Sequence, residues 1–292
     1  QNFGSAETDD CDAYAAKAKA YRNLAQEIKE EFQTRYVDAD GDLKQKSQTA
    51  YLLALKQDLF PTEEARKKGL ETLTRKIAGN GNRLSTGFVG TAILNQTLSQ
   101  FGESDTAYNL LLQRGNPSWL YSIDQGATTI WERWDSYTKE KGFGPVSMNS
   151  FNHYSYGAVS EWMYRTMGGI DIDETRPGFK HIVLQPVPDN RTEIPAGQER
   201  INWVNASFPS CYGDIKSSWK KENDGAVSYQ ISIPANTTAT LHLQLPTLDY
   251  VVEESGKAAV KAEGVSSITF MNGKAVLELQ SGSYQFVVKK GK

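Results

Sequence analysis

Five residues with the chemistry of a sugar site lie close together in the segments GATTIWERWDS (126–136) and SFNHYSYG (150–157). Glu132, Asp135 and His153 can exchange protons, and Trp131 and Trp134 offer aromatic faces. An aromatic ring stacks on the apolar C–H face of a sugar, and charged or polar side chains bind its hydroxyls. The two segments therefore predict a wet pocket with aromatic walls.

Each of these residues also has an ordinary structural interpretation. Glu132 could be a surface charge on a loop, and Asp135, the competing candidate base, fits a salt bridge or a loop cap better. His153 could be a hydrogen-bonded histidine at the start of a helix, although the neighbouring Asn152 extends the polar cluster. We expect one tryptophan of the pair to pack in the core and the other to edge the pocket.

The first part of the chain has helical periodicity. Apolar residues recur at steps of three and four from Tyr14 to Phe32, which predicts a long amphipathic helix over 10–36. Thr62, followed by two glutamates, is typical of a helix start. This helix is predicted over 63–79. The others are predicted over 48–59, which Pro61 ends, and over 89–101, 104–113 and 150–167, which end at glycines.

From residue 180 onward the period changes from 3.6 to 2, which predicts about eight short strands. Asn223-Asp224-Gly225 and Asn272-Gly273 are strong hairpin turns. We predict two domains: a helical domain over 1–175 and an antiparallel β-sandwich over 176–292. The aromatic residues of the sandwich fit an ordinary core, so a structural role is favoured for it: Trp203, Trp219, Tyr229 and Phe286.

Composition limits the class of partner. The net charge is −3, with 32 basic and 35 acidic residues, which indicates neither nucleic acid nor an anionic membrane. Two distant cysteines, Cys11 and Cys211, predict free buried thiols. The loop at 38–44 lacks the Gly and Glu of a calcium loop, so we predict no metal site and no cofactor.

The two segments of the first paragraph, followed in order by a helical and a strand-rich part, resemble bacterial α-L-rhamnosidases of glycoside hydrolase family 78. STGFVGT (85–91) and PGFKHIVLQP (177–186) fit the same family. The resemblance covers essentially the whole chain. It implies an (α/α)6 barrel followed by a C-terminal β-sandwich. With six predicted helices, we expect a partial barrel, about half the ring.

The family hydrolyses terminal α-L-rhamnosides with inversion, which needs one carboxylic acid and one carboxylate. By resemblance, Glu132 is the general base and His153 contacts rhamnose hydroxyls, with Trp131, Trp134 and Asn152 as further substrate-binding residues. The family's general acid lies in a D-x-x-x-x-E-R-x-D type motif in the earlier half of the barrel, and we find no such stretch before residue 126. We therefore expect a fragment that is inactive alone.

Two other functions stay open: a non-catalytic carbohydrate-binding or scaffold module, and an (α/α)6 hydrolase with another sugar specificity. The expected partner is a rhamnose-containing glycoside or polysaccharide. The open face of a half barrel predicts self-association of this chain. A periplasmic or secreted location is favoured over a cytoplasmic one.

Overall fold

The computed structural model describes residues 6–291, with side chains from residue 11 onward. The chain divides into two compact units, one ending at Ile93 and the other beginning at Leu94. This division follows contact density, whereas the predicted boundary near residue 175 follows the change of secondary structure and stays a prediction. In the described range, no helix combines the length and apolar character needed to cross a bilayer.

The first unit is helical. It contains α1 (Ala6–Tyr36), α2 (Gln48–Lys56), α3 (Glu63–Gly79) and the start of α4 (Phe88–Gln100). Ser47 caps α2 by accepting the Ala50 N–H, and Thr62 caps α3 by accepting the Ala65 N–H, as its position before two glutamates predicts.

Packing in this unit is uneven. Helices α2 and α3 pack on each other, and Leu52, Leu73 and Ile77 are fully buried. Helix α1 begins and ends close to where its periodicity predicts, but its apolar residues stay largely exposed. Tyr21, for example, is 71% exposed and Ile28 is 57% exposed. The sequence pattern therefore describes an apolar stripe that this unit does not cover.

The helices of the second unit differ from the prediction at two places. After α5 (Ser104–Leu111), a short α6 (Trp119–Asp124), capped by Ser118, occupies a stretch that lies outside the predicted helices. Six residues are too few to show a helical period. The helix predicted over 150–167 starts late, because residues 150–154 form a loop. A 3₁₀ turn (Ser155–Ala158) precedes α7 (Val159–Trp162), and a π-helical turn (Met163–Met167) follows it.

A two-stranded hairpin, β1 (Tyr137–Thr138) and β2 (Gly142–Phe143), lies between α6 and the 150–154 loop. The strands of the main sheet are β3 (Ile170–Ile172), β4 (His181–Leu184), β5 (Trp203–Ser210), β6 (Gly213–Lys221), β7 (Val227–Gln244), β8 (Tyr250–Glu254), β9 (Lys257–Ala258), β10 (Val265–Met271) and β11 (Lys274–Lys290).

Two long strands, β7 and β11, pair with each other along their length and take part in both layers of this sheet. In one layer the first half of β7 pairs with β6 and the second half of β11 pairs with β8. In the other layer the second half of β7 pairs with β4 and the first half of β11 pairs with β10. The register shifts between Gln280 and Gly282, where the two long strands change from one layer to the other. Buried residues of both layers form a single core, including Trp219, Leu241, Leu277 and Phe286. The strand pairs are antiparallel except β4 with β7, which is parallel.

A buried ion pair fixes the segment that leads from β4 to β5. Arg191 and Asp189 are 1% and 0% exposed at their side chains, and Nη2 of Arg191 lies 2.8 Å from Oδ2 of Asp189. Arg191 also donates to Asn109, to Gln198 and to the Glu199 carbonyl. Burial alone would raise the pKa of Asp189, but hydrogen bonds from Arg191 and the Ile201 N–H outweigh it and hold this pKa below its usual value.

The cysteines differ from the prediction in one respect. Both are free, as expected, but Cys11 and Cys211 are exposed rather than buried. Cys11 lies on α1, whose apolar stripe this unit leaves exposed, and Cys211 lies in the turn between β5 and β6, where none of the described apolar side chains covers it.

Candidate active site

The two chemistry-bearing segments lie side by side and are held by backbone hydrogen bonds. The Glu132 N–H donates to the Ser150 carbonyl at 2.9 Å, and the His153 N–H donates to the Ile130 carbonyl at 2.8 Å. The Thr129 hydroxyl adds a third link by donating to the Phe151 carbonyl. This pairing brings the segment of Glu132 and the segment of His153 together, although 21 positions separate the two residues in the sequence.

The Glu132 carboxylate is held by the same pairing. Its Oε2 accepts the Ser150 N–H at 2.8 Å, so Glu132 and Ser150 contact each other through both backbone and side chain. The side chain of Glu132 is partly exposed. A carboxylate that is fixed at one oxygen and open to solvent can still accept a proton from a water molecule.

The His153 ring has a defined tautomer when it is neutral. Its Nδ1 accepts the Ser155 N–H at 3.3 Å, so the ring proton is carried on Nε2. The Tyr154 ring, 87% exposed, lies nearly parallel to the imidazole, with the ring centroids 5.4 Å apart. Asn152, the other predicted polar neighbour, is exposed. His153 can thus donate a hydrogen bond from a partly exposed position.

The two tryptophans differ in burial. Trp131 is 7% exposed and packs edge-on against Phe151, with centroids 5.3 Å apart. Trp134 is partly exposed and stacks on Tyr156 at 3.9 Å. Both line an apolar cavity of about 210 Å³, whose lining includes neither Glu132 nor His153. Burial raises the pKa of Tyr156, so its hydroxyl stays protonated over the neutral range.

Asp135 forms the salt bridge that its ordinary interpretation predicts. The Nε of Arg133 lies 3.4 Å from Oδ1 of Asp135, and both side chains are 40% exposed. An exposed pair of this kind contributes little to stability. Asp135 is therefore already paired with a cation, whereas Glu132 is held by a backbone N–H.

Sequence reasoning missed the residues that build the loop beneath Glu132. Asn149 donates from Nδ2 to the Ser136 carbonyl at 3.0 Å and to the Gly144 carbonyl at 3.4 Å. It thereby ties the β1–β2 hairpin to Ser150, the residue that contacts Glu132. Serine, threonine and asparagine are common in loops, so neither residue type nor spacing distinguishes Asn149 and Ser150 in the sequence.

Metal chemistry has no evident site in this part of the molecule. Among residues 11–291, no three side chains of His, Cys, Asp or Glu converge as metal ligands would. The groups that the geometry does bring together are a carboxylate, an imidazole and aromatic rings.

Two family models match the chain in sequence order. The bacterial alpha-L-rhamnosidase 6 hairpin glycosidase domain matches residues 7–167, and the bacterial alpha-L-rhamnosidase C-terminal domain matches residues 169–258. These matches confirm the predicted fold class, a helical hairpin domain followed by a β-sheet domain.

Curated relatives carry the same family name. An alpha-L-rhamnosidase of Streptomyces avermitilis is 39% identical over 271 residues, which is 93% of this chain and 24% of that protein. One of Formosa agariphila is 39% identical over 83% of this chain and 25% of its own length. The chain thus spans about a quarter of the length of these relatives.

Solved structures agree. The alpha-L-rhamnosidase of Streptomyces avermitilis, complexed with L-rhamnose, superposes with a TM-score of 0.81 at 38% identity, over 93% of this chain and 24% of that one. The enzyme of Aspergillus terreus gives a TM-score of 0.79 at 29% identity, over 96% of this chain and 28% of that one. On the family models, the relatives and the fold together, the chain belongs to the bacterial α-L-rhamnosidase family.

Proposed function

We propose that this chain is part of an enzyme that hydrolyses terminal α-L-rhamnosides with inversion, and that Glu132 is its general base. One observation carries the proposal: the Ser150 N–H, 2.8 Å from Oε2, fixes the Glu132 carboxylate on the segment that pairs with the loop of His153. The segments that carry the proposed base and the proposed hydroxyl-binding group are thereby held side by side.

The proposed reaction requires two carboxyl groups about 6.5–9.5 Å apart, with a water molecule next to the base. Glu132 accepts a proton from that water as its oxygen forms a bond to the anomeric carbon. The bond from this carbon to the leaving oxygen breaks on the opposite face, and that oxygen takes a proton from an acid. We propose that residues outside this chain supply the acid, and that the chain alone is inactive.

His153 has a supporting role in this proposal. With Nδ1 accepting the Ser155 N–H, the ring donates from Nε2 to a rhamnose hydroxyl oxygen. Trp131, Trp134 and Asn152 are proposed to contact the sugar or its surroundings. The burial of Trp131 limits it to supporting the wall, whereas the partly exposed Trp134 and the exposed Asn152 can reach a ligand.

The product's configuration tests the proposal. An enzyme that contains this chain together with the acid should release β-L-rhamnose first from an α-L-rhamnoside, as observed by ¹H NMR before mutarotation. Release of the α anomer, or no hydrolysis of any α-L-rhamnoside, would refute it. The predicted periplasmic or secreted location is a separate proposal that cell fractionation tests.

A further inference from the structure

The outer face of the β5–β6–β7 layer carries an exposed tryptophan. Trp203 was expected in the sandwich core, but it is 67% exposed. Along β5 the exposure alternates, so Trp203 shares the outer face with Asn205, whereas Val204 and Phe208 pack against the core. The core is therefore closed without Trp203, and its ring lies on the surface of an edge strand.

Next to this ring, strand register builds a straight row of uncharged polar side chains. Asn205 pairs with Ser218, Ser218 with Gln230, and Gln230 with Gln285, one residue from each of four neighbouring strands. All four project from the outer face, because their neighbours in sequence are the core-facing residues. At the usual strand spacing this row is about 14 Å long.

Two cavities join along this row. One, of about 390 Å³, is lined by Trp203, and the other, of about 460 Å³, extends to Gln285. They share Asn205, Ser218 and Gln230, so together they form one groove across the layer. A groove of this length accommodates an extended ligand rather than a single small group.

The chemistry of the groove selects among classes of ligand. Amides and hydroxyls both donate and accept hydrogen bonds, as sugar hydroxyls do, and a tryptophan ring stacks on the apolar face of a sugar. The charged residues that line the groove balance in number, with two lysines, Lys216 and Lys220, and two glutamates, Glu222 and Glu254. Lys220 lies 3.4 Å from Glu222. A polyanion would need an excess of cations that the groove does not have.

We propose that this groove, here called the Trp203 groove, is a second carbohydrate-binding site that takes a neutral oligosaccharide chain. It stands on a different set of residues from the proposed active site, and it does not require that Glu132 be catalytic. Both belong to the same compact unit. A saccharide chain held at the groove would therefore raise the local concentration of substrate around the second unit.

The experiment uses the 292-residue chain and NMR of indole and side-chain amide groups. The probes are α-linked rhamnotriose and cellotriose as neutral chains and polyglucuronate as an anionic one. We expect at least one neutral chain to shift the signals of Trp203, Gln230 and Gln285, with no effect of polyglucuronate. No shift with either neutral chain up to about 10 mM, or a preference for polyglucuronate, would overturn the proposal.

Matched variants sharpen the result. Trp203→Ala should weaken binding at least tenfold and leave the unfolding midpoint unchanged, since the ring is exposed. Tyr212→Ala removes another exposed aromatic ring, outside the row, and should have no effect. Equal losses of saccharide affinity in the two variants would overturn the proposal. So would self-association that Trp203→Ala abolishes, because the face would then be a protein interface.

Discussion

The tryptophan-rich segment (126–136) and the β-sheet each contain one buried and one more exposed tryptophan, but different kinds of contact set this difference in the two regions. In the segment, Trp131 is nearly buried and Trp134 is partly exposed. In the sheet, where a core was expected, Trp219 is buried but Trp203 is exposed. Residue type therefore does not decide where a tryptophan lies. In the sheet, the alternation of side chains along a strand determines whether a tryptophan is buried. In the loops, a few hydrogen bonds determine it.

This difference predicts how each region responds to substitution. Many contacts with neighbouring strands determine the position of a side chain on a strand. A single substitution there should lower stability before it displaces another side chain. In residues 129–156 a group such as the Glu132 carboxylate depends on single contacts. One change there should reduce activity more than stability.

The largest stability effect is expected at the buried ion pair. Arg191→Met should lower the free energy of unfolding by about 3–5 kcal/mol, because it leaves the Asp189 carboxylate buried without its partner. Urea denaturation measures the loss. Arg114→Met, which removes an exposed pair with Asp124, should cost less than about 1 kcal/mol. Similar losses of unfolding free energy in the two variants would contradict the distinction between the buried and the exposed ion pair.

Asn149→Asp is the corresponding test in the loops. It replaces the donor to the Ser136 and Gly144 carbonyls with an acceptor, which should displace the Ser150 N–H from Glu132. In an active enzyme that contains this chain, we expect kcat to fall about 10- to 100-fold with KM within about twofold. The unfolding midpoint should change little. Asn223→Asp, in a turn of the sheet, is the control. A similar fall in kcat in that variant would contradict a specific role for Asn149.

The ion pair also predicts a pH dependence. Arg191 and the Ile201 N–H hold the pKa of Asp189 below its unfolded value of about 3.9. The stability this provides is present above that value and is lost as pH falls through the lower, folded pKa. In Arg191→Met, burial raises the pKa of Asp189 instead. The cost of the substitution should therefore shrink as pH falls, and a cost that does not vary with pH would contradict this.

The smallest effect is expected on the exposed stripe of α1. The chain should self-associate with increasing concentration, and Tyr21→Ser together with Ile28→Ser should weaken this association in sedimentation velocity. Leu248→Ser, 99% exposed in a turn of the sheet, should not. A chain that stays monomeric at every concentration would contradict the prediction that the exposed stripe of α1 drives self-association.

Local signals predicted much of the fold. The change of period near residue 180, the Thr62 cap and the Asn-Gly turn at 272–273 each act through neighbouring residues, and each is confirmed. The parallel pairing of β4 with β7 and the late start of the helix after residue 150 depend on distant contacts. A single sequence does not display those contacts.

The same limit applies to the candidate site. Residue types pointed to Glu132 and His153, and the structure does bring their segments together. Ser150 and Asn149 contribute through backbone groups and loop geometry, which composition does not reveal. The Trp203 groove was missed because alternation alone does not say which face of an edge strand meets the core.

The most direct test of the account is the turnover of Glu132→Gln in an active enzyme that contains this chain, measured beside Asp135→Asn. Loss of the proposed base should lower kcat by about a hundredfold to ten-thousandfold while the substrate still binds, and Asp135→Asn should have a small effect. A Glu132→Gln enzyme with near-normal kcat, or a larger loss in Asp135→Asn, would contradict it.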